Sequence, residues 1–499
     1  MNSPTGRWMV AGGILCSWFC SFSVNAQEVG GSLTDLVQSG RFEFTRLEQQ
    51  AAFANQAAYN ELAPLCDERF QPAAGSCSAT QARAFDNLRE LVQTANELLG
   101  SGPTEFSLGV DEEGLGFALR WTAAEELAAR SSAGSEFANN QLTSLMSRMT
   151  ALRYGARGFS VVNNQHGVRA TDAVLAQEVI PKGGGASADS GILEDFSRWG
   201  GFLDGSYGWG TRDPTDVEDA FDFDGTEVTI GVDYRFTSGL VLGGILGYSD
   251  QMIDFDSSRS IVDGDIKSDG YSGILYGMYE WNGPYVSASV GYQRLSLEST
   301  RLITYPSFNP KVESTDVTAR GDTDSDTFTA TFNAGWSLNW KAFGAEPYVR
   351  AEYRNMKLHG FKESSVHNGG SRAGQAAGFD FSFGDQTIKS LDAVAGFRVQ
   401  YALTPKFGVI VPYVKAEYHR QLENDPHLVD ATYNALSGTS GAAAFDVVGD
   451  ESDDSFYVLS GGLSVVLQRG WQAFIQYQTV ESLNLLSNDV ITGGIRAEF

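Results

Sequence analysis

Thr327-Phe328-Thr329-Ala330-Thr331-Phe332-Asn333-Ala334-Gly335-Trp336-Ser337-Leu338-Asn339-Trp340 changes character at almost every step. Successive side chains of a strand point to opposite faces. Phe328, Ala330, Phe332, Ala334, Trp336, Leu338 and Trp340 therefore take one face, and Thr327, Thr329, Thr331, Asn333, Ser337 and Asn339 the other. A wall between lipid and a wet lumen needs this division. Thr226–Phe236 repeats it, with Val228, Ile230, Val232, Tyr234 and Phe236 set against Glu227, Thr229, Asp233 and Arg235. Near the end, Trp471, Ala473, Ile475 and Tyr477 alternate with Gln472, Phe474 and Gln476.

Twelve such segments follow residue 199: 199–210, 224–236, 239–251, 268–281, 284–298, 325–340, 343–356, 387–402, 405–419, 455–468, 470–480 and 488–499. An even number puts both ends of a barrel on one side of the membrane. Thr237-Ser238, Asn282-Gly283, Lys341-Ala342, Leu403-Thr404 and Arg469 read as tight turns, and the alternate connections are long. Short turns on one side and long loops on the other are the outer-membrane pattern. The expected fold is an all-β transmembrane barrel of 12 antiparallel strands over 196–499, preceded by a mostly α-helical N-terminal segment. Pro347-Tyr348-Val349-Arg350-Ala351-Glu352-Tyr353 matches Pro412-Tyr413-Val414-Lys415-Ala416-Glu417-Tyr418, and Pro284-Tyr285-Val286-Ser287-Ala288 is a partial third copy. A charge facing lipid at mid-bilayer costs about 2–4 kcal/mol. Arg350, Glu352, Lys415, Glu417 and Arg496 are therefore expected to face the lumen.

Composition agrees. Only 19% of the 499 residues are charged, 12% are aromatic and 56 are glycine. Mean hydropathy is nonetheless slightly negative. Membrane strands that alternate polarity escape hydropathy plots in this way. A net charge of −27 argues against a nucleic-acid partner, because phosphate contacts need basic patches. Arg7, an apolar stretch from Trp8 to Phe22 and Val24-Asn25-Ala26 read as a signal peptide over 1–26, cut before Gln27. Cys16 follows Leu15 and Cys20 follows Phe19, which does not suit a lipoprotein signal.

The last strand, Ile491-Thr492-Gly493-Gly494-Ile495-Arg496-Ala497-Glu498-Phe499, ends on an aromatic with Ile491, Ile495 and Phe499 on one face. This resembles the signal read by the barrel-assembly machinery. Trp199-Gly200-Gly201-Phe202-Leu203-Asp204-Gly205-Ser206-Tyr207-Gly208, Val232-Asp233-Tyr234-Arg235-Phe236, Gly239-Leu240-Val241-Leu242-Gly243-Gly244 and Gly247-Tyr248-Ser249 resemble, in order and spacing, the β-domain of type V autotransporters. The resemblance implies a monomeric barrel with a helical linker in its lumen and a passenger at the cell surface. It also implies a setting of outer membrane and lipopolysaccharide, with assembly machinery and periplasmic chaperones as partners, and no cofactor. Leu142, Leu145, Met149 and Leu152 mark the linker helix at 136–155, within a linker region 136–195 that includes the flexible Gly183–Ala188. Asn139-Asn140 lie one turn upstream of where self-cleaving relatives carry paired asparagines.

Residues 27–135 read as a short helical passenger. Leu47, Ala51, Ala54, Ala58 and Leu62 form one stripe, with Thr45 and Glu48 spaced as a capping box. A second helix opens at Ser78 and carries Phe85, Leu88, Val92, Ala95 and Leu99. Cys66 and Cys77, the two cysteines of the mature chain, are predicted to pin this hairpin by a small-loop disulfide. All five histidines lie outside 27–165, which excludes a Ser-His pair or a histidine-bearing metal site there. Asp111-Glu112-Glu113 read as a solvated turn. His359, His367, His419 and His427 are expected at outer strand ends or in long loops, where a barrel enzyme would build a rim site. Asp213, Asp216, Glu218, Asp219 and Asp222 read as solubilising loop charge with a capacity for divalent cations. Neither catalytic nor metal residues are expected. The sequence favours an autotransporter that exports its own helical segment, for adhesion or interaction, over a porin or channel with a periplasmic helical domain.

Overall fold

The computed structural model describes residues 33–70, 77–153 and 198–498, with short breaks at 216–217, 237–238, 260, 282, 425–427, 438–443, 449–453, 468–470 and 484. The signal peptide, Gly183–Ala188, Asn282, Arg469, His166, His427 and Phe499 lie outside the described residues.

Twelve strands form the barrel: β1 Trp199–Arg212, β2 Phe221–Arg235, β3 Leu240–Phe255, β4 Gly264–Glu280, β5 Pro284–Tyr305, β6 Thr315–Trp336, β7 Phe343–Leu358, β8 Gln386–Tyr401, β9 Val409–Asn424, β10 Ser455–Val466, β11 Gln472–Glu481 and β12 Leu486–Glu498. Each pairs antiparallel with its sequence neighbours, and β1 closes on β12 from Gly200↔Glu498 to Arg212↔Leu486. The outward face carries the lipid belt, where Val228, Ile230, Phe332, Trp336 and Val349 are all more than half exposed. Lys341-Ala342 is a tight turn, with Lys341 at φ 53. Leu403-Thr404 is not. Leu403 bridges to Ile410 and the Gly408 amide donates to the Pro405 carbonyl, so β9 starts at Val409 rather than 405. Pro405 has no N–H to give a ladder.

Beyond the lipid belt β4, β5 and β6 run further than the alternation suggested. Along β5 the inward face is polar at Ser287, Ser289 and Gln293, then apolar at Leu295, Leu297, Ile303 and Tyr305. The outer mouth therefore has a greasy lining.

Among the described residues five helices come before the barrel: α1 Leu33–Gln38, α2 Arg46–Cys66, α3 Ala79–Leu99, α4 Glu112–Trp121 and α5 Arg130–Arg153. Thr45 with Glu48, and Ser78 with Gln81, form capping boxes for α2 and α3. Asp111 caps α4, and Glu112 and Glu113 sit in its first turn, favourable to the helix dipole. Cys66 and Cys77 form the disulfide. Helices α1–α4 fill the mouth. Leu47, Leu62, Phe85, Leu119 and Trp121 share one buried cluster with Phe221, Ile303, Tyr305, Phe361, Phe381 and Tyr433 of the barrel and its loops. A hairpin too small for its own core thus borrows one.

Candidate functional site: the filled lumen and the capped mouth

Helix α5 begins six residues before the expected start, because its first turns follow a 3-10 turn (Glu125–Ala129) rather than an apolar stripe. At about 1.5 Å per residue, its 24 residues reach ~36 Å. It runs from the long-loop end, where the Arg130 guanidinium lies 4.4 Å from the Phe361 ring, to the tight-turn end, where Arg153 pairs with Glu346 at 2.5 Å. One face is apolar: Leu145, Met149 and Leu152 pack on Phe202, Val241, Ile245, Ile274, Tyr276 and Met278.

Polar contacts fix its rotation and depth. Arg148, with no exposed surface, donates to Asp233 through Nε at 2.7 Å and Nη2 at 2.9 Å. Tyr276 donates to the same carboxylate at 3.0 Å. Gln141 reaches Glu227, and Thr229 Oγ1 at 2.9 Å. Tyr285 joins Arg153 on Glu346 at 2.6 Å. Asn139 accepts from Arg354 at 2.6 Å. Asn140 is buried within the helix. A Cβ at Gly200 would lie 2.3 Å from Arg148 Nη2, and one at Gly247 2.3 Å from Gln141 Nε2, so glycines give the helix its seat. Buried pairs add little net stability but are costly to break singly, and they favour one placement.

The candidate lumen residues form a second cluster. Arg350 Nη1 donates to Glu417 at 2.7 Å, and Arg350 Nε reaches Glu352. Lys415 Nζ meets Glu417 at 2.9 Å and Tyr348 donates to it at 2.5 Å. The two repeat copies, on β7 and β9, thus meet across Gly396 of β8, which pairs with both Tyr348 and Glu417. Arg496 donates to Ser147 of α5 at 2.8 Å. Ile491 and Ile495 face outward.

His419 corrects the rim expectation. It is buried in β9 on the inward face and stacks on Phe456 at 4.6 Å, because it continues the phase of Glu417. His359 lies just past β7 and pairs with Asp326 at 2.8 Å, which also accepts from Tyr292 at 2.5 Å. His367 closes the short strand Ser364–His367. The acidic loop does more than solubilise. Asp219 is buried against Arg120 of α4, Glu218 pairs with Arg212 at 2.7 Å, and Asp222 pairs with Arg259. Among the described residues no cluster of three or more His, Cys, Asp or Glu is placed to hold a metal ion.

The cap is held by polar contacts as well as by its core. Asn87 donates to the Ala377 carbonyl at 2.8 Å and Tyr433 to Asn55 at 2.5 Å. Asn309 donates to the Ser107 carbonyl at 2.7 Å. Arg301 of β5 joins Glu363 at 2.8 Å and approaches Glu126 of the cap at 3.9 Å.

Sequence reasoning missed Arg148, Gln141, Arg153 and Glu346. The signal was present in part: Glu227 and Asp233 stood on the inward face of a membrane strand, where a buried acid needs a partner.

The translocator domain of NalP from Neisseria meningitidis is 14% identical, covering 66% of this chain and 98% of that one, with a TM-score of 0.45. The β-domain of the Bordetella autotransporter BrkA is 14% identical over 60% and 99%, TM-score 0.41. The transport unit of AIDA-I from Escherichia coli is 12% identical over 66% and 98%, TM-score 0.37. No curated protein matches. A family model described as autotransporter beta-domain matches residues 201–478, more than half of the chain. The chain belongs to the autotransporter β-domain family of outer-membrane barrels.

Proposed function

We propose that the barrel anchors the chain in the outer membrane and delivers residues 27–130 to the cell surface. There they stay docked as a cap and offer their outer face for interaction. One observation carries this reading: α5 threads the lumen and joins the helices at the long-loop end to β1 at the tight-turn end. With tight turns in the periplasm, the cap lies outside. A lumen threaded by α5 and covered by α1–α4 also speaks against an open channel. Insertion by the assembly machinery would use β12, with Ile491 and Ile495 toward lipid.

Cysteine labelling of intact cells tests this. Ser101→Cys, exposed on the cap, should react with a membrane-impermeant maleimide without permeabilisation. Lys341→Cys, in a tight turn, should react only after it. The reverse pattern would place the cap in the periplasm and overturn export.

A further inference from the structure

The two ends of the barrel carry opposite charge. The connections from β2 to β3, β4 to β5, β6 to β7, β8 to β9 and β10 to β11 contain Lys341, Lys406 and Arg469, and no Asp or Glu. The connections at the other end are acidic, with Asp213, Asp216, Glu218 and Asp219 in the first of them alone. In a chain of net −27 a cationic end is a local departure.

Two of the cationic connections lie side by side. Trp336 is the last residue of β6 opposite β5, at Pro284, whereas Leu338, Asn339 and Trp340 pair with β7 alone. The β6–β7 hairpin therefore runs about 13 Å further along the strand, at ~3.3 Å per residue. On its other flank Tyr401 of β8 pairs with Phe343, and the Ala402 amide donates to the Ala342 carbonyl at 2.8 Å. Leu403 bridges to Ile410 beside them. The two connections together make a foot on one side of the wall.

The foot is apolar with a cationic tip. Trp340 is 73% exposed and Phe407 56%, and Leu338, Phe343 and Leu403 are exposed with them. Trp336, Leu338 and Trp340 continue the outward phase of Phe328 and Phe332, so the lipid belt runs onto the foot without a break. Lys341 and Lys406 are exposed, and neither forms an ion pair among the described residues. Lys341 Nζ instead lies 5.8 Å from the Trp340 ring. Asp233, Glu280 and Glu346 are the acids closest in sequence to these connections, and all three follow the inward phase of their strands. Asp233 is held by Arg148 and Glu346 by Arg153. Aromatic rings settle where hydrocarbon meets headgroups, and lysines just beyond them reach the headgroup level. Anionic lipid attracts cations so placed.

We propose that this foot seats in the inner leaflet of the outer membrane and binds the phosphodiester of an anionic glycerophospholipid. Lys341 and Lys406 are its cationic contacts, and Trp340 packs on the glycerol and the upper acyl chains. The choice of leaflet rests on the reading that the tight turns are periplasmic, and the lipid preference does not.

The full-length protein would be reconstituted in phosphatidylcholine vesicles with a minor share of phosphatidylglycerol, one lipid or the other carrying bromine on its acyl chains. Bromine quenches tryptophan at contact range, and the difference between the native protein and Trp340→Phe isolates the signal of Trp340. Brominated phosphatidylglycerol should quench it well beyond its share of the lipid, and less so as salt rises. Joint replacement Lys341→Gln and Lys406→Gln should lower that preference roughly tenfold. Lys357→Gln, at the far end of β7 beside Asp385, should leave it unchanged. Heat-modifiable gel mobility reports whether each variant folds. Quenching in proportion to lipid share in the native protein, or a preference that survives loss of both lysines, would overturn the proposal. Vesicles offer the lipid in both leaflets, so this outcome is independent of sidedness. Reaction of Lys341→Cys on intact cells before permeabilisation would overturn the inner-leaflet placement alone.

Discussion

At the scale of single residues, the lumen is specified by buried charges held by particular partners. Arg148 is wholly buried against Asp233, so Arg148→Ala strands a carboxylate in the wall. Losing one member of such a pair costs about 3–5 kcal/mol. A lower urea midpoint for loss of the compact, heat-modifiable form should report it. The pair replacement Arg148→Met with Asp233→Leu should recover most of the loss. Gly396 makes a second test. A Cβ there would sit 2.2 Å from the Tyr348 ring, whose hydroxyl reaches over β8 to Glu417. Gly396→Val should therefore detach Tyr348 from Glu417 and lower the midpoint, whereas Gly461→Ala, whose nearest neighbour is 3.8 Å away, should be mild. Of these residues, Arg350, Glu352, Lys415 and Glu417 could be placed from strand phase and the cost of charge in lipid. Gly396 could not, because its role depends on which strands become neighbours.

At the scale of elements, strand phase was legible wherever lipid imposed it. It failed where β5 leaves the membrane and Leu295, Leu297 and Ile303 turn the inward face apolar. The alternation persists there with its polarity reversed, since the neighbour inside is now a helical cap instead of water. Helices α2 and α3 were legible from their stripes and capping boxes, and α5 from Leu142 to Leu152 but not at its start. The disulfide closes an 11-residue separation between α2 and α3. Crosslinks over loops of this size contribute about 2–3 kcal/mol. Cys66→Ser with Cys77→Ser should speed amide exchange in α2 and α3 and leave the barrel strands unchanged. If the strands lose protection equally, the hairpin does not unfold as a separate unit.

At the scale of the whole molecule, cap and barrel share one core, and a buried acid sits at their junction. Burial raises the Glu126 carboxyl to about 7, opposed by Arg301, with Asp219 and Glu363 nearby adding to the rise. In the unfolded chain it titrates near 4.5. Between those values the folded state keeps a proton that the unfolded state has released. This contribution to stability is therefore full below about 4.5 and is lost as pH rises through about 7. Resistance of the cap to protease should fall from pH 5 to pH 8, and Glu126→Gln should flatten that dependence. An unchanged slope in the variant would assign it to other groups. The shared core was not legible in the sequence. Phe361, Phe381 and Tyr433 read as loop residues, and nothing in their spacing names α2 or α3 as their cover.

That shared core also sets an order of events in time. Ribosomes make the cap before the barrel, yet a large part of the core they share, from Phe221 to Leu436, is made after it. The earliest residues to emerge are thus among the last to find their native surroundings. On the export route proposed above, they would remain uncommitted until the barrel closes around α5. A mutation that made the cap fold well on its own would be expected to slow biogenesis, even as it stabilised the finished protein.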